Sequence, residues 1–249
     1  MKKKIDSIGF MSSLFAIIVG LLVGFVILLV SNPADAGAGF VTILTGPLTH
    51  GSKGVGQVFY YATPIILTGL SVGFAFKTGL FNIGASGQFI VGAFAAVVVG
   101  IKGEALGSVQ WVVALLAAVL AGAVWGAIPG LVKAYFNVNE VIACIMTNYI
   151  GMYMVNYLVS TNKGLYDKIH NYSKSVANTA NIPKMGLDKI FEGSSVNGGF
   201  FIAVIMAVVI YILLEKTTFG YELKAAGFNK DASKYAGMNE KRNIILSMA

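Results

Sequence analysis

Six stretches of about twenty residues carry no charged side chain, and they leave this chain few folds. They cover 10–30, 57–76, 83–101, 109–132, 141–159 and 196–214. About 20 apolar residues in a helix cross the hydrocarbon core of a bilayer. No water is available there to bond the backbone, so a spanning segment must satisfy its own N–H and C=O groups. The expected fold is all-α: a polytopic transmembrane helical bundle with six complete spans. A further apolar run begins near Asn243 and reaches the last residue, Ala249, after seven positions. We read it as the start of a seventh span, and residues 1–249 as one transmembrane domain that is incomplete at its C-terminus.

Composition agrees. Hydrophobic residues make up 56% of the 249 and charged residues 12%, whereas a soluble domain carries about 25% charged residues. The single cysteine, Cys144, excludes an internal disulfide, and no metal-ligand cluster is present. The formal net charge of +7 comes from lysines in the connections between apolar spans. Topology accounts for it, and no nucleic-acid partner is expected. Three lysines precede the first span, as in a signal peptide. That span, however, is 21 residues long, beyond the about 7–15 of a signal-peptide core. It is read as a retained helix.

Basic residues in connections favour the cytoplasmic side. With the N-terminus inside, that side holds eleven of the 18 basic residues, among them Lys2, Lys3, Lys4, Lys77, Lys133 and those of 215–242. The segment 160–195 becomes an outer loop and 215–242 a cytoplasmic one. The Gly-rich, partly apolar segment 31–56 leaves re-entry into the membrane open.

Polar residues inside the apolar spans carry the functional reading, because a polar group at membrane depth is costly unless it faces a cavity or a partner helix. Residues 79–88, GLFNIGASGQ, place an Asn, a Ser, a Gln and three glycines at the entry to the third span. Asn82 and Ser86 are four apart and are expected on one helical face, with Gly84 and Gln88 on another. Asn82 is also placed to cap the helix start. In NEVIACIMTNYI (139–150), Glu140, Cys144, Thr147 and Asn148 recur at spacings of three and four, opposite apolar Val141, Ile142, Ile145 and Met146. Either these polar residues wall a solute path, or they hydrogen-bond between helices.

Other features have mainly structural readings. Pro64 should bend its helix. Gly20 with Gly24, Gly69 with Gly73, and Gly122, Gly126 and Gly130 form small-residue ladders expected to pack helices. Tyr153, Tyr157, Tyr166 and Tyr172 gather near the outer end of the fifth span. They suit an interfacial aromatic belt, or stacking on a flat ring. The charged segment 219–239, FGYELKAAGFNKDASKYAGMN, holds Asn229 where it can cap a helix from Lys230 to Ala236, with Gly237 as the stop. A helix that short has the form to press into a cleft on a soluble partner.

GLFNIGASGQ resembles the FNIG-x-x-GQ segment of bacterial ABC-transporter permeases for simple sugars, nucleosides and branched-chain amino acids. NEVIACIMTNYI resembles the NEVI-x-x-x-M-x-NY segment of the nucleoside and simple-sugar branch. FGYELKAAGFNKDASKYAGMN is similar to that family's cytoplasmic loop, with Gly220, Gly227, Asn229, Ala232, Ala236 and Gly237 matching. The chain departs from the family at Ser86, where an acidic residue is commoner. The resemblance covers about 57–249 and implies one permease subunit of an ATP-driven importer in a bacterial cytoplasmic membrane. A second permease subunit, cytoplasmic ATPase subunits and an extracellular or periplasmic solute-binding protein are the implied partners, with membrane lipid around the bundle. It further implies a solute path at Asn82, Ser86, Gln88, Glu140 and Asn148. Coupling to the ATPase would fall to Gly227, Asn229, Ala232, Ala236 and Gly237. The chain has no G-x-x-x-x-G-K-[ST] segment, so ATP is expected on a partner and no cofactor on this chain. Uncharged amides both donate and accept, which suits a neutral hydroxyl-bearing solute such as a nucleoside.

Two other classes compete. An ion-coupled secondary transporter of a sugar or amino acid would favour an intramembrane carboxylate, and Glu140 is the one near such a place. An intramembrane serine protease would use Ser86 of GASG (84–87), but the two histidines, His50 and His170, lie in outer segments, away from a serine at membrane depth.

Overall fold

All six uncharged stretches form helices. The computed structural model describes residues 7–249, so Lys2, Lys3 and Lys4 of the topology reading lie outside the described residues. In chain order the helices are α1 (Ser7–Ser31), α2 (Ala36–Thr49), α3 (Gly51–Lys77), α4 (Ala85–Lys102), α5 (Gln110–Phe136) and α6 (Glu140–Thr161). A short antiparallel pair follows, β1 (Tyr166–Asp167) and β2 (Tyr172–Ser173). Then come α7 (Leu187–Ile190), α8 (Gly199–Lys216), α9 (Thr218–Phe228), α10 (Lys230–Tyr235) and α11 (Glu240–Met248). Among the described residues, six helices are long and apolar enough to cross a membrane. Large apolar side chains along them point outward; Phe15, Leu120 and Ile205 are 68%, 66% and 59% exposed. Lipid is the solvent for such faces. The protein is an all-α, multi-pass membrane bundle.

The chain forms two compact units. One comprises Met1–Val58 and Lys189–Ser195. Within it the Phe25 and Phe40 rings meet at 4.8 Å, and the Ser195 N–H donates to Gln57 Oε1 at 3.3 Å. The segment 31–56, left open above, contains α2 and the first turn of α3. At 14 residues α2 is about 21 Å long, shorter than a hydrocarbon core of about 30 Å.

The other unit comprises Phe59–Asp188 and Val196–Ala249. Here α4 packs against α5 and α6, and α11 lies along α5. Ala75, Leu80, Cys144, Ile244 and Met248 form its buried core, with Ile83 and Ala134 against it. The helix expected near Asn243 starts at Glu240, because the Asn239 side chain caps it by accepting from Arg242 N at 3.0 Å.

The glycine ladders divide. Gly126 and Gly130 sit where a side chain would strike α11: a Cβ on Gly126 would lie 2.4 Å from Met248 O, and one on Gly130 3.0 Å from Ile245 Cα. Gly20, Gly24, Gly69 and Gly73 meet nothing within 4 Å among the described residues. Helix packing at those two pairs is therefore not realised among the described residues.

The segment 160–195 is more ordered than a bare loop. Gln110 on α5 is fully buried. Its Nε2 donates to Val99 O and Gly100 O at 3.0 Å each, and its Oε1 accepts from the Thr179 hydroxyl. The Ala177 N–H donates to Gly100 O at 2.9 Å. These bonds clip 177–179 onto the ends of α4 and α5.

Candidate functional site

The two polar motifs meet at the entry to α4. Asn137, in the left-handed region at φ 50°, ends α5. Two residues later Asn139 starts α6, its Oδ1 accepting from Val141 N at 2.9 Å. Lys133 on α5 and Glu140 on α6 close this turn with an ion pair at 3.0 Å. From there α6 turns Cys144 and Thr147 into the protein while Ile142, Ile145 and Met146 stay exposed, the polar face read from spacing.

Asn148 joins that face to α4. Its Nδ2 donates to Ile83 O at 3.0 Å, and its Oδ1 accepts from Gly87 N at 2.9 Å. The first turn of a helix leaves N–H groups without intrahelical partners; one of those in α4 is satisfied by a side chain from α6. Gly87 permits the approach, since a Cβ there would lie 2.7 Å from Asn148 Oδ1. Trp125 on α5 packs against Gly87 and Gly151, each of whose Cβ positions lies 3.3 Å from its ring. Asn82 does not cap α4. Gly84 holds the N-cap position, and Asn82, ahead of the helix, is 1% exposed with its Oδ1 3.9 Å from Cys144 Sγ. Its Nδ2 has no partner among the described residues. Ser86 is exposed, so Asn82 and Ser86 do not share a face: the helix begins only at Ala85. Gln88 Nε2 donates to Met248 O on α11, over Gly126, where a Cβ would fall 1.8 Å from that nitrogen.

The amides of Asn82, Gln88 and Asn148 thus lie at contacts among the α4 entry, α6, α5 and α11. None of the five candidate path residues lines the cavity of about 260 Å³ bounded by Leu67, Ser71, Phe74, Met206, Ile210 and Leu246. Among the described residues no group of three metal-ligating side chains occurs, and no hydrogen bond joins Ser86 to a histidine.

The charged segment after α8 folds into two short helices, and α9 was not legible in the sequence. Thr217 caps α9, its Oγ1 accepting from Gly220 N at 3.1 Å. A Cβ on Gly220 would sit 2.2 Å from Leu213 O, so glycine allows the tight turn out of α8. Leu223 and Ala226 are buried, and Glu222 Oε2 accepts from Asn243 Nδ2 on α11 at 3.4 Å. At the end of α9, Gly227 lies directly on the α3–α4 connection. A Cβ there would be 2.4 Å from Lys77 O and 3.1 Å from Gly79 N. Gly79 is itself at φ +72°, three residues before Asn82. Asn229 then caps α10, accepting from Ala232 N at 3.0 Å, and Gly237 at φ +81° follows its end. Ala232 and Ala236 are exposed; Phe228 and Tyr235 beside them are 91% and 94% exposed.

The sequence matches the family described as branched-chain amino acid transport system / permease component over residues 54–249. The chain belongs to that family. Among its relatives, the guanosine ABC transporter permease protein NupP of Bacillus subtilis is 41% identical over 94% of this chain and 66% of its own length. The nucleoside ABC transporter permease protein NupB of Lactococcus lactis is 33% identical over 94% and 65%. The glucose ABC transporter permease protein TsgB13 of Haloferax volcanii is 32% identical over 90% and 60%. The chain thus spans somewhat under two thirds of the length of these relatives. No solved structure gives a significant match. The description of that family is of a permease component of a transport system. The two motifs and the glycine contact at Gly227 all lie within the matched region.

Proposed function

We propose that this chain is a permease subunit of an ATP-driven importer that translocates a small neutral solute, a nucleoside. The observation that carries the reading is mechanical. The exposed, capped helix α10 follows α9, and α9 ends backbone-on-backbone against Lys77–Gly79, the lead-in to GLFNIGASGQ. A push on α10 therefore has a short, stiff route to the polar entry of α4 and to Asn148. The names of two relatives, for guanosine and for nucleosides, support the solute class.

In this reading the N-terminus and the segment 215–242 are cytoplasmic, and 160–195 is outside. ATP is bound and hydrolysed by separate ATPase subunits against which Asn229, Ala232, Ala236 and Gly237 press, with Gly227 passing the motion on. A second permease subunit completes the path and a solute-binding protein delivers cargo. Asn82, Ser86, Gln88, Glu140 and Asn148 border the path. The amides of Gln88 and Asn148 are hydrogen-bonded within the bundle, so contact with solute requires them to exchange partners as the bundle switches. An ion-coupled transporter is less well supported, because Glu140 is held by Lys133.

The test is uptake of radiolabelled guanosine by proteoliposomes holding the assembled transporter. ATP inside the ATPase compartment is expected to drive uptake with all ion gradients collapsed. Uptake that follows an ion gradient and ignores ATP overturns the reading. Replacing both Ala232 and Ala236 with Trp is expected to cut ATP-driven uptake about tenfold or more, equivalent to about 1.4 kcal/mol of lost coupling, with membrane insertion unchanged.

A further inference from the structure

The tyrosines read in the sequence as either an interfacial belt or a stacking surface are resolved into a shape by the β1–β2 hairpin. A cavity of about 610 Å³ opens between the last turns of α6 and this hairpin. Tyr157, Asn156 and Ser160 line it from α6, and Tyr166, Asn171 and Tyr172 from the hairpin. Its volume falls within the range of about 300–1,000 Å³ typical of small-molecule sites. None of the side chains lining it is charged.

The hairpin wall is held in place. Tyr166 pairs with Ser173 and Asp167 with Tyr172. Leu165, 2% exposed, anchors the strand, and the Lys174 N–H donates to Leu165 O at 2.7 Å. The Tyr166 hydroxyl donates to Asn171 Oδ1. His170 stacks on Tyr172 with ring centroids 5.3 Å apart, and Asp167 Oδ2 holds His170 Nδ1 at 2.9 Å. Tyr172 is thus backed by a second ring while remaining 54% exposed, and Tyr157 across the cavity is 67% exposed. Exposed aromatic faces beside uncharged amides and hydroxyls are the elements that receive a flat ring by stacking and read its edge by hydrogen bonds.

We propose that this cavity is a vestibule site for a neutral, flat-ringed, hydrogen-bonding solute of nucleobase type, with Tyr157 and Tyr172 as stacking faces and the Asn156 and Asn171 amides at the ring edge. The solute class rests on the importer reading above; the site rests on the hairpin geometry. Its lining excludes charge, so a nucleotide phosphate has no partner there.

The test is saturation-transfer NMR on the full chain in lipid nanodiscs, with guanosine and glucose as probes. Saturation is expected at the base proton of guanosine and not on glucose. The double variant Tyr157→Ala/Tyr172→Ala is expected to weaken guanosine binding about tenfold or more, as loss of base stacking does. Tyr157→Phe/Tyr172→Phe keeps both rings and is expected to bind like the parent, which controls for folding. No transfer to guanosine, preferential transfer to glucose, or equal binding by the alanine variant overturns the site. ATP-driven guanosine uptake without such transfer leaves the importer reading standing and removes the vestibule. Transfer without uptake removes the importer reading and leaves the vestibule.

Discussion

Asn148 commits both ends of its amide to the entry of α4, so Asn148→Ala strands a backbone donor and an acceptor in the protein interior. The expected cost is about 1–3 kcal/mol, read as a lower melting temperature in detergent; an unchanged melting point would show that the bonds contribute nothing. Gly126→Ala puts a methyl into the space that Gln88 Nε2 and Met248 O share. About 1–3 kcal/mol of overpacking is expected, with α11 loosened, which hydrogen exchange at Ile244–Met248 would detect. Asp167 gives a pH dependence outside the membrane spans. Its hydrogen bond from His170, aided by the Ile169 N–H, holds the carboxyl below its ordinary value. The folded value is the depressed one. The hairpin is therefore stabilised fully above the ordinary carboxylate pKa of about 3.9, and loses that support as pH falls through the depressed value. Acid titration followed by NMR at Tyr166 and Asn171 should show this step, and Asp167→Asn should abolish it. The sequence placed the α4 cap on Asn82 because capping is usually a local affair. The residue that satisfies Gly87 lies 61 positions away, and no local pattern reports a partner at that distance. Asn229 before Lys230 was legible for the opposite reason: its cap closes within three residues.

Helices as units follow the same divide. The six spans were legible because a bilayer imposes length and apolarity on each stretch separately. Helix α9 was not, since FGYELKAAGF mixes charge and glycine and is held by buried Leu223, by Ala226 and by Gly227 against another connection. That contact makes a prediction about elements. Gly227→Ala forces α9 off Lys77–Gly79, and ATP-driven uptake is expected to fall about tenfold or more while ATP hydrolysis by the assembled transporter continues. Normal uptake would mean that α9 carries no coupling. Gly237→Ala strains a positive-φ position at about 1–2 kcal/mol and should lower the melting temperature of the chain in detergent. The hairpin β1–β2, too short to announce itself, emerged from an expected loop because Leu165 and the Asp167 turn fix it.

At the scale of the whole molecule the orientation has a direct test. Cys144 is fully buried, so a cysteine placed at Lys168 or Lys234 can be labelled without background. One crossing helix, α8, separates the two positions. The proposed topology expects labelling of the first from outside the cell and of the second only after the membrane is breached; labelling of both from one side would overturn it. The family and the all-α bundle were readable at this scale from motif and hydropathy. The glycine pairs at 20/24 and 69/73, read as packing ladders, meet no partner among the described residues, because spacing records that a helix could be approached and not what approaches it. A different consequence attaches to Gly79 and Gly227. Side chains that touch can absorb a displacement by swivelling about their χ bonds. Two facing glycines have no such slack, so any shift of one main chain must be followed by the other or open a gap, and the joint between them behaves as a rod rather than a spring.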